Sequence, residues 1–125
     1  MFDTNIVIDV LRKRAYARDL LEKWTARGFV AISTLTQLEI YQGIRPGEEA
    51  ATGIFLDGLI SIPVDVPIAR QAGVLIQEQR VQRMTSHITD AIIAATALQK
   101  SVPLVTNNVR HFSFPNLNVV EGLPE

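Results

Sequence analysis

The chain contains no cysteine among its 125 residues, so disulfide bonds, thiolate metal ligands and a cysteine nucleophile are all excluded. It also lacks an uninterrupted apolar stretch of the roughly 18 residues that a membrane-spanning helix needs. The first residues have neither the basic start nor the apolar middle of a signal peptide. Together, these absences predict a cytoplasmic location.

An excess of positive charge is missing as well. Lys and Arg number 12 and Asp and Glu number 13, which gives a formal net charge of −1. A protein that binds nucleic acid non-specifically needs a strong basic excess, because phosphate contacts release counterions. A nuclease can use metal ions that neutralise its own carboxylates and then meet the phosphate. The charge balance therefore weakens a pure DNA- or RNA-binding module more than a metallonuclease.

The residues that are present predict one α/β domain over residues 1–125. Hydrophobic residues make up 47% and charged residues 20%, an ordinary globular balance, and no repeat or linker divides the chain. Strands separated by helices, with almost continuous apolar character, predict a mainly parallel sheet covered on both faces. In such folds the ligand site lies at the carboxyl ends of the strands. The predicted strands are 29–32, 59–62, 103–106 and 119–120.

The helical patterns lie between these strands. Pro67 suits the first turn of a long helix, and Thr89 is a candidate cap for the helix that follows. The predicted helices cover about 5–14, 16–27, 34 or 36 to 41, 48–58, a long segment from 67, and 90–99.

Three acids are candidate site residues, although each also has a structural explanation. Asp3 precedes an apolar helix, where aspartate is a common N-cap. Glu39 lies in a mostly apolar helix, where a buried carboxylate costs several kcal/mol unless it is paired or binds a cation. A solvent-facing edge or a salt bridge with arginine would also explain it. Asp90 opens an apolar helix, whose dipole alone favours an acid there by about 0.3–1 kcal/mol.

The three acids suggest a metal site if they converge. Without compensation, they would repel one another and raise their own pKa values, and a divalent cation would remove that repulsion. A set of oxygen ligands without cysteine favours Mg²⁺ or Mn²⁺ over Zn²⁺. Such a site can hydrolyse a phosphodiester bond.

Four segments in order resemble the PIN domain, and the closest match is to the VapC-type toxins of type II toxin–antitoxin systems. They are Asp3-Thr4-Asn5, Gln37-Leu38-Glu39-Ile40-Tyr41-Gln42-Gly43, residues 89–97 (TDAIIAATA) and residues 104–112 (LVTNNVRHF). The resemblance covers essentially the whole chain. It implies a three-layer α/β/α sandwich, Mg²⁺- or Mn²⁺-dependent endoribonuclease activity, inhibition by a cognate antitoxin, and homodimers.

The resemblance also implies roles for individual residues. By position, Asp3 and Asp90 match acids that contact the metal, and Glu39 matches an acid that binds metal or orients the attacking water. The supporting polar residues by the same matching are Thr4, Asn5, Thr106 and Asn108.

The chain departs from the family pattern in two places. Family members often carry a fourth acid in the last segment, whereas this chain has Asn108 and His111 there. One negative charge fewer should weaken a second metal ion. Secondly, only Met1 and Phe2 precede Asp3, so either the true start lies upstream or the first strand is very short.

The remaining expectations concern substrate and partners. Candidate substrate-binding residues are Arg12, Arg83, Arg110 and His111, although solvated surface positions explain most such side chains. Exposed apolar surface on the first two helices or on residues 48–58 is expected to serve a dimer or an antitoxin, which can insert an arginine among the acids. The main alternative function is a catalytically weak or inactive module that binds RNA or antitoxin. A nuclease for RNA maturation or for DNA is a third.

Overall fold

The computed structural model describes residues 1–85 and 87–123. Ser86, in the polar segment before the predicted 90–99 helix, and the last two residues of the predicted domain lie outside the described residues. In chain order the elements are α1 Thr4–Leu11, α2 Ala15–Arg27, β1 Ala31–Ser33, α3 Thr34–Gln42, α4 Glu49–Asp57, β2 Ile60–Ile62, α5 Val66–Val81, α6 Ile88–Lys100, β3 Leu104–Thr106, a 3₁₀ helix Val109–Phe112, and β4 Val119–Glu121.

Residues 1–3 join two pairs of parallel strands. β1 pairs with β2, and β3 pairs with β4. Phe2 forms a parallel bridge with Val105, and its N–H donates to the carbonyl of Ala31 at 2.9 Å. The Asp3 N–H donates to the Val105 carbonyl at 2.9 Å. In this structure the residues before Asp3 form a single bridge at the centre of the sheet, between β1 and β3.

Successive residues of the central strands pack into two separate cores, one on each face of the sheet. Met1 and Leu104 belong to the core under α5 and α6, whereas Phe2 and Val105 belong to the core under the N-terminal helices. Side chains of a strand alternate between faces, so this division confirms the predicted α/β/α sandwich. All four of these side chains are at most 7% exposed.

The helix starts agree with the sequence in two cases. Asp65 caps α5 by accepting a 3.1 Å hydrogen bond from the Ile68 N–H, and Pro67 lies in the first turn as predicted. Thr34 is the first residue of α3, with Ser33 as its cap.

Two local predictions were wrong. Phe29 is 88% exposed and precedes the strand, because Gly28 ends α2 at a φ of 147° and pairing begins only at the Val30 carbonyl. Thr89 is not the cap of α6, which begins at Ile88 after His87. The earlier start places Asp90 in the first turn of α6, where the helix dipole favours a carboxylate.

Within the described ranges, no helix combines the length and the apolar character needed to cross a membrane.

Candidate active site

Asp3 is buried at the carboxyl end of the central strand, directly before α1. Its side chain is 5% exposed. Oδ1 accepts a 2.8 Å hydrogen bond from the Thr4 N–H, and Oδ2 accepts a 2.7 Å hydrogen bond from the Thr106 hydroxyl at the end of β3. Asp3 is therefore the N-cap of α1, and the capping explanation holds. It does not compete with the site explanation, because Oδ2 faces across the sheet edge to another strand.

Glu39 is tied to Asp3 through the neighbouring threonine. The Thr4 hydroxyl donates to Glu39 Oε1 at 2.7 Å. It also lies 3.0 Å from the hydroxyl of Thr36, one turn before Glu39 in α3. Since the Thr4 hydrogen is given to the carboxylate, Thr36 donates to Thr4. Glu39 is thus held by a pair of buried hydroxyls and forms no salt bridge with an arginine in the described ranges.

Asp90 approaches the site from the first turn of α6, beside two histidines. Nδ1 of His111 lies 3.4 Å from Asp90 Oδ2. The ring of His87 lies 5.9 Å from the ring of His111, centroid to centroid. The Asp90 side chain is 18% exposed and that of His111 is 52% exposed. This acid is therefore more open to solvent than Asp3.

The charges of the other two acids act on Asp3. Burial raises the pKa of Asp3, the hydrogen bonds from Thr106 and Thr4 oppose that shift, and the charges of Asp90 and Glu39 add to it. Burial also raises the pKa of Asp90, against the charges of His111 and His87. The two aspartates are thus held in surroundings that disfavour their negative charge.

The donor chemistry of this cluster fits a hard divalent cation. Asp3, Glu39 and Asp90 supply only oxygen, and the hydroxyl donors around them are already satisfied. Among residues 1–85 and 87–123, no three acid or histidine side chains converge closely enough in their present positions to hold a metal ion. Binding would therefore require the side chains of the cluster to close around the cation.

The supporting residues fall into two groups. Thr4 and Thr106 make the bonds that hold the acids. Asn108 contributes its backbone N–H to the Thr106 hydroxyl at 3.0 Å. Asn5, by contrast, is exposed on α1 and makes no side-chain hydrogen bond within the described part of the chain.

The candidate substrate-binding residues are all exposed, at different distances from the acids. Arg12 and Glu39 line the same cavity of about 260 Å³, between α1, α3 and the start of α4. Arg110 and His111 line a second cavity of about 260 Å³ with Asn108. Arg83 lies in the turn after α5 at a φ of 58°, and no ion pair joins it to the acids in the described residues.

Several residues of this region were missed from the sequence. Thr36 precedes Glu39 by three residues and His87 precedes Asp90 by three, so helical spacing was an available signal for both. Tyr16 and Asn107 join by a hydrogen bond across 91 positions, for which the sequence contains no signal.

Comparison with known proteins identifies the family of this chain. Residues 1–116 match the PIN domain family. The chain belongs to the PIN domain family. Among curated PIN relatives, it is 36% identical over 119 residues to Ribonuclease VapC19 of Mycobacterium tuberculosis, an alignment that covers 94% of this chain and 95% of the relative.

Solved structures of PIN proteins show the same fold. A toxin–antitoxin complex from Klebsiella pneumoniae contains a chain with 32% identity and a TM-score of 0.84, covering 99% of this chain and 98% of that one. DNA-bound VapBC from Salmonella typhimurium contains a chain with 25% identity and a TM-score of 0.87, covering 98% and 97%.

Proposed function

We propose that this chain is a metal-dependent endoribonuclease that acts as the toxin of a toxin–antitoxin pair. The observation that carries the proposal is the cluster of Asp3, Glu39 and Asp90 at the sheet edge, in a PIN chain similar to a named VapC ribonuclease. The Thr4 hydroxyl donates a hydrogen bond to Glu39, and the Thr106 hydroxyl donates one to Asp3. A cluster of partly or fully buried carboxylates with oxygen as the only donor is typical of a site for a hard cation.

The cation would be Mg²⁺ or Mn²⁺, and oxygens of Asp3, Asp90 and Glu39 would hold it. When bound, it would offset the repulsion between the carboxylates and stabilise negative charge on the phosphate and on the leaving oxygen. The hydroxyl of Thr106 and the N–H of Thr4 fix both oxygens of Asp3, so this carboxylate is oriented before any ligand arrives.

Glu39 has one oxygen held by the Thr4 hydroxyl, while the side chain remains partly exposed toward the cavity it shares with Arg12. It can therefore orient the attacking water or bind the cation. On the other side, Arg110 and His111 line the cavity beside Asn108. RNA phosphates would enter between these two cavities, with the basic side chains at the mouths offsetting the acids.

The proposed partners are the RNA substrate, a cognate antitoxin and a second copy of this chain, in the cytoplasm. No large exposed hydrophobic side chain belongs to α1 or α2 within the described ranges, which differs from the expectation for these helices. Ile54 on α4 is 75% exposed, as expected for residues 48–58, and Val66, Val74 and Val81 on α5 are 49% to 80% exposed. Size-exclusion chromatography with light scattering will show whether the purified chain is a dimer.

Cleavage of total cellular RNA by the purified chain tests the nuclease proposal. New RNA ends would be mapped with Mg²⁺, with Mn²⁺ and with a chelator. Asp90→Asn removes one acid of the cluster, and Asp19→Asn, on the exposed face of α2, is the matched control. Discrete cuts that need metal, persist in the control and vanish in Asp90→Asn support the proposal. Equal cleavage by wild type and Asp90→Asn would contradict it.

A binding module without turnover is the second candidate. It is favoured by the open arrangement of the acids and by Asn108 and His111 in the last segment. Folded, antitoxin-free protein that binds RNA but makes no cut with either metal would establish it.

A further inference from the structure

Tyr16 lies at the centre of a hydrogen-bonded cluster outside the three acids. It is the second residue of α2, and its hydroxyl donates to the carboxylate of Asp9 in α1. The same hydroxyl accepts a 2.7 Å hydrogen bond from Nδ2 of Asn107, which directly follows β3. Arg14 completes the cluster, with Nε 3.3 Å from Asp9 Oδ1. The cluster therefore joins both N-terminal helices to the loop after β3.

The Asn107 amide can take only one orientation in this cluster. The hydroxyl hydrogen of Tyr16 is given to Asp9, so the tyrosine oxygen can only accept from Asn107. Nδ2 must then face Tyr16, and Oδ1 must face away. Oδ1 is buried without a hydrogen-bond partner in the described part of the chain. It lies against Gly122, where an added Cβ would come within 2.6 Å of it, so the amide is fixed on both sides.

Asn107 stands between the two residues that support Asp3. The Thr106 hydroxyl donates to Asp3 at 2.7 Å, and the Asn108 N–H donates to the Thr106 hydroxyl at 3.0 Å. These bonds require the loop 106–108 to keep one conformation. Placement of this kind matters for reaction rate, since a shift of about 1 Å in a reacting group can cost roughly 100-fold.

We propose that Tyr16 is a positioning residue: by holding Asn107, it holds the Thr106 hydroxyl against Asp3. The proposal rests on the nuclease function proposed above. Its competitor is a structural link in which Tyr16 only joins α2 to Asp9 of α1. The bond from Asn107 distinguishes the two, because a link between the helices does not require it.

Tyr16→Phe tests the proposal, because it removes the hydroxyl and keeps the ring. The control is Tyr41→Phe, the only other tyrosine of the chain, exposed on α3. With an RNA fragment that the wild type cuts, we expect kcat of Tyr16→Phe to fall about tenfold and KM to stay within about twofold. Tyr41→Phe should match the wild type.

Amide hydrogen exchange provides a reading that does not depend on cleavage. In Tyr16→Phe the Asn108 N–H should exchange about fivefold faster or more, while the core amide of Leu75 in α5 keeps its rate. A structural link predicts faster exchange at Arg14 and Arg18, where the helices meet, and no change at Asn108. Asn107→Ala removes the contact from the other side. The double variant should lose no more activity than either single variant.

Wild-type kcat together with unchanged Asn108 exchange in Tyr16→Phe would overturn the proposal. If the wild type cuts no RNA with either metal, the nuclease function fails instead. The exchange of Asn108 then decides by itself whether Tyr16 holds the loop.

Discussion

The two aspartates of the site lie in contrasting surroundings. Asp3 is buried on the central strand, and both of its oxygens accept hydrogen bonds from groups fixed by the fold. Asp90 is half-buried at a helix start, and its partner is the half-exposed imidazole of His111. Burial raises the pKa of both. The opposing influence is a set of neutral donors at Asp3 and the charge of histidines at Asp90.

This difference suggests that the two aspartates have different roles in binding a ligand. Hydroxyl and N–H donors on a strand end and a helix start cannot move far without unfolding, so Asp3 is preorganised. The imidazole partner of Asp90 is half-exposed to solvent and can rotate. The Asp3 side of the site would therefore define where a ligand binds, while the Asp90 side would adapt to it.

Replacing each aspartate by asparagine should affect cleavage most strongly. We expect Asp3→Asn and Asp90→Asn each to lower RNA cleavage about 100-fold or more, because each removes a negative ligand of the proposed cation. Their stabilities should differ. With a pKa raised above the usual 3.8, the folded state binds the proton more tightly than the unfolded state, so stability is lost as pH rises above that value. Asparagine has no such loss.

The amide of Asp3→Asn has one acceptor oxygen fewer and so loses one of the two hydrogen bonds to Asp3 at every pH. Calorimetry with chelator should nevertheless show a gain in its unfolding temperature relative to the wild type between pH 3 and pH 7. The gain for Asp90→Asn should be smaller, because that acid is more exposed and the histidines already favour its charge. Near pH 3 this contribution should be absent, since both carboxyls are then protonated in the wild type. If the unfolding temperature relative to the wild type rises equally in the two variants between pH 3 and pH 7, the two aspartates do not differ in how strongly the fold disfavours their charge.

Loss of the Thr106 hydroxyl should have the next largest effect. Thr106→Val keeps the shape of a fully buried side chain but leaves Asp3 Oδ2 without its donor and the Asn108 N–H without its acceptor. Cleavage should fall about tenfold, and the free energy of unfolding should fall by about 1–3 kcal/mol, as measured by urea denaturation. Thr106→Ser, which retains the hydroxyl, is the control. A variant with wild-type cleavage would show that preorganisation of Asp3 is unimportant.

The sequence predicted the fold and the acids better than the contacts between them. Apolar strands alternating with helices predicted the two-sided sheet, because burial on both faces requires that pattern. The four segments pointed to Asp3, Glu39 and Asp90. The hydrogen bond from Asn107 to Tyr16 was not predictable, because it depends on how α2 packs beside β3. The start of α6 was misplaced because a capping preference is weak beside tertiary packing.

His111→Gln should have the smallest effect and should act on the Asp90 side alone. Burial raises the pKa of Asp90, and the His111 charge is the first influence that lowers it. Glutamine can still donate a hydrogen bond but has no charge, so the pKa of Asp90 should rise further. The acidic limb of the pH–rate profile should then move to higher pH, while cleavage at pH 8 falls about threefold or less because His111 is half-exposed.

His87→Gln, which removes a second charge that favours ionised Asp90, should move the limb in the same direction by a smaller amount. Thr106→Val provides the contrast, because its effect lies on Asp3. An acidic limb that moves in Thr106→Val but not in His111→Gln would mean that Asp3, rather than Asp90, sets the pH at which the site becomes active.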